Sequence, residues 1–121
     1  MAIMAAFDRR RKMDLPQGCD VALGDSGRIE LTVIDDHICL RLIERTPSGW
    51  QDLTPGIEVD RKTVRAYEAA ARKSKYSDWK FGPIWLRWEF NSLWVSLEGK
   101  PLGEGDRSKF ESGIRRFLAS R

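Results

Sequence analysis

Cysteine and histidine are nearly missing from this chain. Among 121 residues stand two cysteines, Cys19 and Cys39, and one histidine, His37. A zinc site takes about four ligands, and neither cysteine has CxxC spacing, so the sequence supports no metal and no cofactor. Nothing in it demands an oxidising compartment. Long apolar runs are missing as well: no stretch approaches the ~18 residues of a membrane span. The basic run Arg9-Arg10-Arg11-Lys12 is not followed by the apolar core of a secretory signal. A cytoplasmic protein is expected, or a nuclear one if the host has a nucleus, with no membrane partner.

Catalytic patterns are equally scarce. His37 has no second histidine or serine elbow to work with, and it sits beside Asp35 and Asp36 in what reads as a tight turn. Cys39 falls within an alternating strand pattern, where a small packing residue is expected rather than a nucleophile. Asp35, Asp36 and Glu44 read as a solvated turn rather than a cation cage. The glycines from Gly99 to Gly105 lack the GxxxxGK order, followed by Ser or Thr, of a phosphate-binding loop. That stretch reads as a plain connector. No enzyme is expected.

Tryptophan and charge are plentiful instead. Five Trp and a charged fraction of 32% accompany a net charge of +3 and a pI near 9.1. The length fits one domain. A mildly basic balance permits a nucleic-acid partner without requiring one.

Residues 1–24 are the least regular part and read as a flexible basic arm, with Val21-Ala22-Leu23 able to pair as an edge strand. Residues 25–121 read as a single α+β domain. Arg28 to Ile34 alternates, with Ile29, Leu31 and Val33 on one face. Ile38 to Ile43 alternates again, which makes a hairpin. Short strands are expected at Trp50 to Leu53 and at Ile57-Glu58-Val59, separated by the turn Thr54-Pro55-Gly56. Asp60 then caps a helix whose apolar stripe is Val64, Tyr67 and Ala71. Ser77 to Pro83 reads as a linker. A second hairpin follows, Ile84 to Phe90 and Leu93 to Leu97. The last helix has capping-box spacing at Ser108 and Glu111, with Phe110, Ile114, Phe117 and Leu118 as its stripe.

The two hairpins align at a constant offset of 55: Gly27 on Gly82, Ile29 on Ile84, Leu31 on Leu86, Leu40 on Val95. An Asp-Arg pair precedes each helix, Asp60-Arg61 and Asp106-Arg107. The expectation is an internal repeat, residues 25–76 and 80–121, folded as antiparallel hairpin-plus-helix units, ββββα followed by ββα. A hairpin with one helix cannot bury its apolar face alone, whereas two such units can bury theirs together.

Arg28-Ile29-Glu30-Leu31, Ile38-Cys39-Leu40-Arg41, Gly49-Trp50 and Pro55-Gly56-Ile57-Glu58-Val59, followed by Val64 and Tyr67, resemble the positive cofactor four family of transcriptional coactivators. The resemblance covers about forty residues. It implies four antiparallel strands and a helix, dimerisation, and binding of single-stranded DNA on curved sheets. Where that family usually places lysines, this chain has Gln51-Asp52-Leu53-Thr54. Its two halves also resemble the arrangement in plant Whirly proteins.

Single-strand binding needs aromatic platforms for bases and cations for the backbone. The mixed strand faces offer Arg28, Arg41, Trp50, Trp85, Arg87 and Trp94 for this. Trp88 reads as core. Trp85 and Trp94 admit two readings, a binding face or a face covered by a helix or the other sheet. The expected function is binding of single-stranded DNA or RNA without sequence readout, in transcription or replication. The alternative is a protein-interaction or assembly module using exposed Trp faces, and homodimerisation is compatible with both.

Overall fold

A computed structural model describes residues 12–14 and 20–119, the side chains from 20 onward. Arg9 to Arg11 and Cys19 lie outside the described residues. The order is β1 (Lys12–Asp14), β2 (Val21–Leu23), β3 (Gly27–Ile34), β4 (His37–Thr46), β5 (Gly49–Asp52), β6 (Ile57–Asp60), α1 (Arg61–Lys73), β7 (Tyr76–Phe81), β8 (Ile84–Glu89), β9 (Ser92–Leu97), β10 (Lys100–Asp106) and α2 (Arg107–Ala119). The α+β class holds, as does the pattern of two strand-plus-helix units.

All strand pairs are antiparallel. In the first sheet β3 and β4 form the central hairpin. Both flanking positions are filled by broken strands: β1 and β2 each pair with β3, and β5 and β6 each pair with β4. The second sheet is a plain meander, β7-β8-β9-β10. Each unit therefore has four strand positions and then a helix. The second unit has two more strands than its sequence suggested. The segment read as a linker is largely β7, and the glycine-rich connector is largely β10. Part of the expected arm belongs to the sheet, since Val21 and Leu23 are buried in the core.

Alternation accounts for the layering. Ile29, Leu31, Val33, Ile38, Leu40 and Leu42 face inward from the first sheet; Phe81, Ile84, Leu86, Trp88, Leu93 and Val95 face inward from the second. They share one continuous core with Val64, Tyr67 and Ala71 of α1 and Phe110, Ile114 and Phe117 of α2. Each such side chain stabilises the fold by roughly 1.5–3 kcal/mol before entropy is counted. Tyr67 is central, its ring against Trp79, Phe81, Trp88 and Phe110 at centroid distances of 5.5–5.9 Å. The helix of the first unit thus packs on strands of the second.

Two arginines fix the helices in antiparallel register. Arg61, at the start of α1, donates to the carbonyls of Phe117 and Leu118 at the end of α2, and to Asp36 in its own hairpin turn. Arg107, at the start of α2, donates to the carbonyl of Ala71 near the end of α1, and to that of Phe90 in its own hairpin turn. Asp35 and Phe90, equivalent at the offset of 55, both have left-handed backbones (φ 54° and 51°). The helix caps correspond as well. Asp60 accepts from the Thr63 amide, and Asp106 from the amides of Ser108 and Lys109. The second cap is therefore Asp106, while Glu111 accepts from Arg107 and the Tyr67 hydroxyl.

The edges β2 and β10 meet where glycine leaves room. A Cβ on Gly105 would stand 2.6 Å from the Ala22 carbonyl oxygen, and one on Gly103 would stand 2.8 Å from the Gly24 nitrogen. The Gly24 amide donates to the Glu104 carbonyl across this seam. Backbone can approach backbone this closely only without side chains.

Candidate nucleic-acid interface

The outward faces of the two sheets hold all six residues singled out from the sequence, in two clusters. On the second sheet, pairing register sets out three rows: Lys80-Trp85-Ser96, Asp78-Arg87-Trp94-Glu104 and Tyr76-Glu89-Ser92. Trp85, Arg87 and Trp94 share this face, and it stays open to solvent. Trp85 is 46% exposed, and the Arg87 side chain 67%. The covered-face reading of Trp85 thus gives way, and Trp94 is half-buried. Trp88, on the opposite side of β8, is fully buried, its ring nitrogen donating to the Ser74 carbonyl at 3.0 Å.

Cations lie over these rings. The Lys80 ammonium is 4.6 Å from the Trp85 centroid, and the Arg87 guanidinium 5.7 Å from that of Trp94. Arg87 also donates to Glu89 at 3.3 Å. Lys80 was passed over because its segment reads as a linker. The signal was present, with Trp79 and Phe81 alternating against Asp78 and Lys80.

Arg28, Arg41 and Trp50 gather on the first sheet around a shallow depression of about 200 Å³, with Glu30, Ile43 and Asp52. The guanidinium groups of Arg28 and Arg45 lie 4.7 and 5.8 Å from the Trp50 centroid. Arg41 is spoken for: it donates to Asp52 at 2.7 Å and to Glu30 at 3.2 Å. The hydrogen bond it donates to Asp52 raises its pKa further, so it stays charged, but inside an ion-pair triad. Cys39 also faces outward on this sheet yet is buried, and a Cβ on Gly56 would come within 2.5 Å of its sulfur.

One aromatic pair was not anticipated. Tyr76 and Phe90 are 56% and 54% exposed and meet edge to face at 4.9 Å. A bulky residue in left-handed backbone is uncommon and marks a conformation held by its surroundings.

Among the described residues no group of three His, Cys, Asp or Glu is placed to hold a metal ion, and no described helix is long and apolar enough to cross a membrane. Comparison of the chain with protein-family models, curated proteins and solved structures found no significant match in any of the three.

Proposed function

We propose that this protein binds single-stranded nucleic acid without sequence readout, bases stacking on the outward face of the second sheet. The observation that carries the reading is the pair of outward-facing tryptophans with cations over their rings, exposed Trp85 with Lys80 and half-buried Trp94 with Arg87. Every base offers a π-face, so such platforms tolerate any sequence. Rows two residues apart along a strand are separated by about 6.8 Å, which suits successive bases of an extended strand. The repeated four-strand-and-helix unit supports kinship with the positive cofactor four family, proposed on the same footing, and with it a role in transcription or replication.

Fluorescence anisotropy with a labelled single-stranded oligonucleotide tests this. Trp85→Ala and Trp94→Ala are each expected to weaken binding by about 5- to 150-fold, equivalent to ~1–3 kcal/mol of stacking per base, with the melting temperature little changed. Absence of binding at micromolar protein in low salt would sink the proposal. A second reading, docking of a protein partner, is favoured by the exposed Tyr76–Phe90 pair, and Phe90→Ala would then abolish capture of that partner while leaving oligonucleotide binding intact.

A further inference from the structure

The sheet face proposed for stacking is short of positive charge. Asp78, Glu89 and Glu104 outnumber Lys80 and Arg87 there. On the first sheet Arg28, Arg41 and Arg45 are matched by Glu30, Asp52 and Glu58. The positive charge is elsewhere. The two helices hold nine of the 21 Lys and Arg but only two of the 18 acids, a net of +7, so the rest of the chain carries −4.

Seven of those cations are exposed: Lys62, Arg65, Arg72 and Lys73 on α1, Lys109, Arg115 and Arg116 on α2. Both acids are drawn inward, the Glu68 and Glu111 side chains being 13% exposed each. They are engaged at their inner positions, Glu68 with Arg72 and Glu111 with Arg107 and Tyr67. The helices lie side by side through the arginine contacts at their ends, so the cations form one layer about 20 Å long, 13 residues at 1.5 Å each. Between them stand small residues, Ala66, Ala69, Ser108 and Ala119, with no exposed aromatic or large aliphatic side chain.

We propose that this helical layer is a second nucleic-acid surface, which takes the phosphodiester backbone by charge alone. A face without aromatics cannot stack bases, so it does not distinguish single strands from duplex. It also lacks the apolar side chains with which interfacial helices enter lipid, which favours a nucleic-acid backbone over an anionic membrane. This surface is separate from the stacking face and stands or falls independently of it.

The test uses the full chain, a labelled single strand and a duplex of the same sequence, titrated across a salt series. The wild-type protein is expected to bind the duplex at low salt, with log affinity falling linearly in log salt. Lys62→Gln/Lys73→Gln/Lys109→Gln removes three charges without reversing any. It is expected to weaken duplex binding and to flatten the salt slope by about 2.7, at 0.9 per phosphate contact. Circular dichroism and melting show whether that variant stays folded. If it does not, the three single Lys→Gln variants are titrated, each expected to flatten the slope by about 0.9. Trp85→Ala/Trp94→Ala is expected to leave duplex affinity unchanged. The proposal is overturned if the duplex is not bound at micromolar protein in low salt, if the folded lysine variants keep the wild-type slope, or if phosphatidylserine vesicles are bound while neither oligonucleotide is. Weakened but not abolished single-strand binding, with duplex binding unchanged, in the tryptophan variant supports both surfaces; no weakening there removes stacking and leaves the helical layer in place.

Discussion

At the scale of residues, two tryptophans with similar surroundings divide by what their ring nitrogens do. Trp88 is fully buried and donates to the Ser74 carbonyl at the end of α1, whereas the buried Trp79 nitrogen has no partner among the described residues. Trp88→Phe loses a hydrogen bond and leaves an unfilled space, and is expected to cost about 2–3 kcal/mol. Trp79→Phe loses an N–H that made no bond, and should cost clearly less; urea midpoints for the two variants provide the comparison. Much of this inner face was legible: Ile84, Leu86 and Trp88 alternate cleanly with Trp85 and Arg87. What no pattern in the chain could say was whether the other side of that strand, with Trp85, was covered as well, since tryptophan stands on both. The outward charges of Lys80 and Glu89, aligned with Trp85 and Arg87 only once β7 is in place, decide it.

At the scale of elements, β10 is the strand least visible in sequence. Proline and two glycines within Lys100–Asp106 oppose every strand propensity, yet those glycines let it lie against β2. A methyl group at Gly105 meets the Ala22 carbonyl oxygen and Val21. Gly105→Ala is therefore expected to destabilise by about 1–3 kcal/mol, read from thermal melts. The helices were legible from their stripes, and their N-terminal caps make stability depend on acid. Hydrogen bonds from the Thr63 amide hold Asp60 below the usual carboxylate range, and those from Ser108 do the same for Asp106. A carboxylate with a lowered folded-state pKa stabilises fully above its unfolded value of about 3.9, and that contribution fades as pH falls through the folded pKa. Replacing both caps by Asn keeps a capping side chain but removes the titration. The double variant should lose less stability than the wild-type chain between pH 5 and pH 2, measured by denaturant midpoint (both pH values being about one to two units either side of the unfolded pKa).

At the scale of the whole molecule, each half supplies the arginine that finishes the other half's helix. Arg107 reaches the Ala71 carbonyl, the Phe90 carbonyl and Glu111 from a side chain only 12% exposed. Arg107→Ala leaves the largely buried Glu111 with only the Tyr67 hydroxyl and a longer contact to Arg115, frees two carbonyls, and is expected to cost about 3 kcal/mol. Arg107→Lys should recover little, because one ammonium cannot span the three acceptors that a planar fork does. A single coincident transition by fluorescence and circular dichroism in both variants would show the halves melting together. The hairpin repeat at an offset of 55 announced this arrangement, but the helix exchange was hidden, because helical spacing says what faces a core and not whose core it is. Tyr67 packs on the strands of the other unit because both units are on one chain. For two separate chains that contact would form by collision, and stability would rise with concentration. Here the linking segment between α1 and β7 is two residues, Ser74 and Lys75, so the partner is always present at the high effective concentration of a short tether. Two tethered units need not be alike: one outward face holds a cluster of ion pairs around Arg41, the other the rings of Trp85, Trp94 and Tyr76.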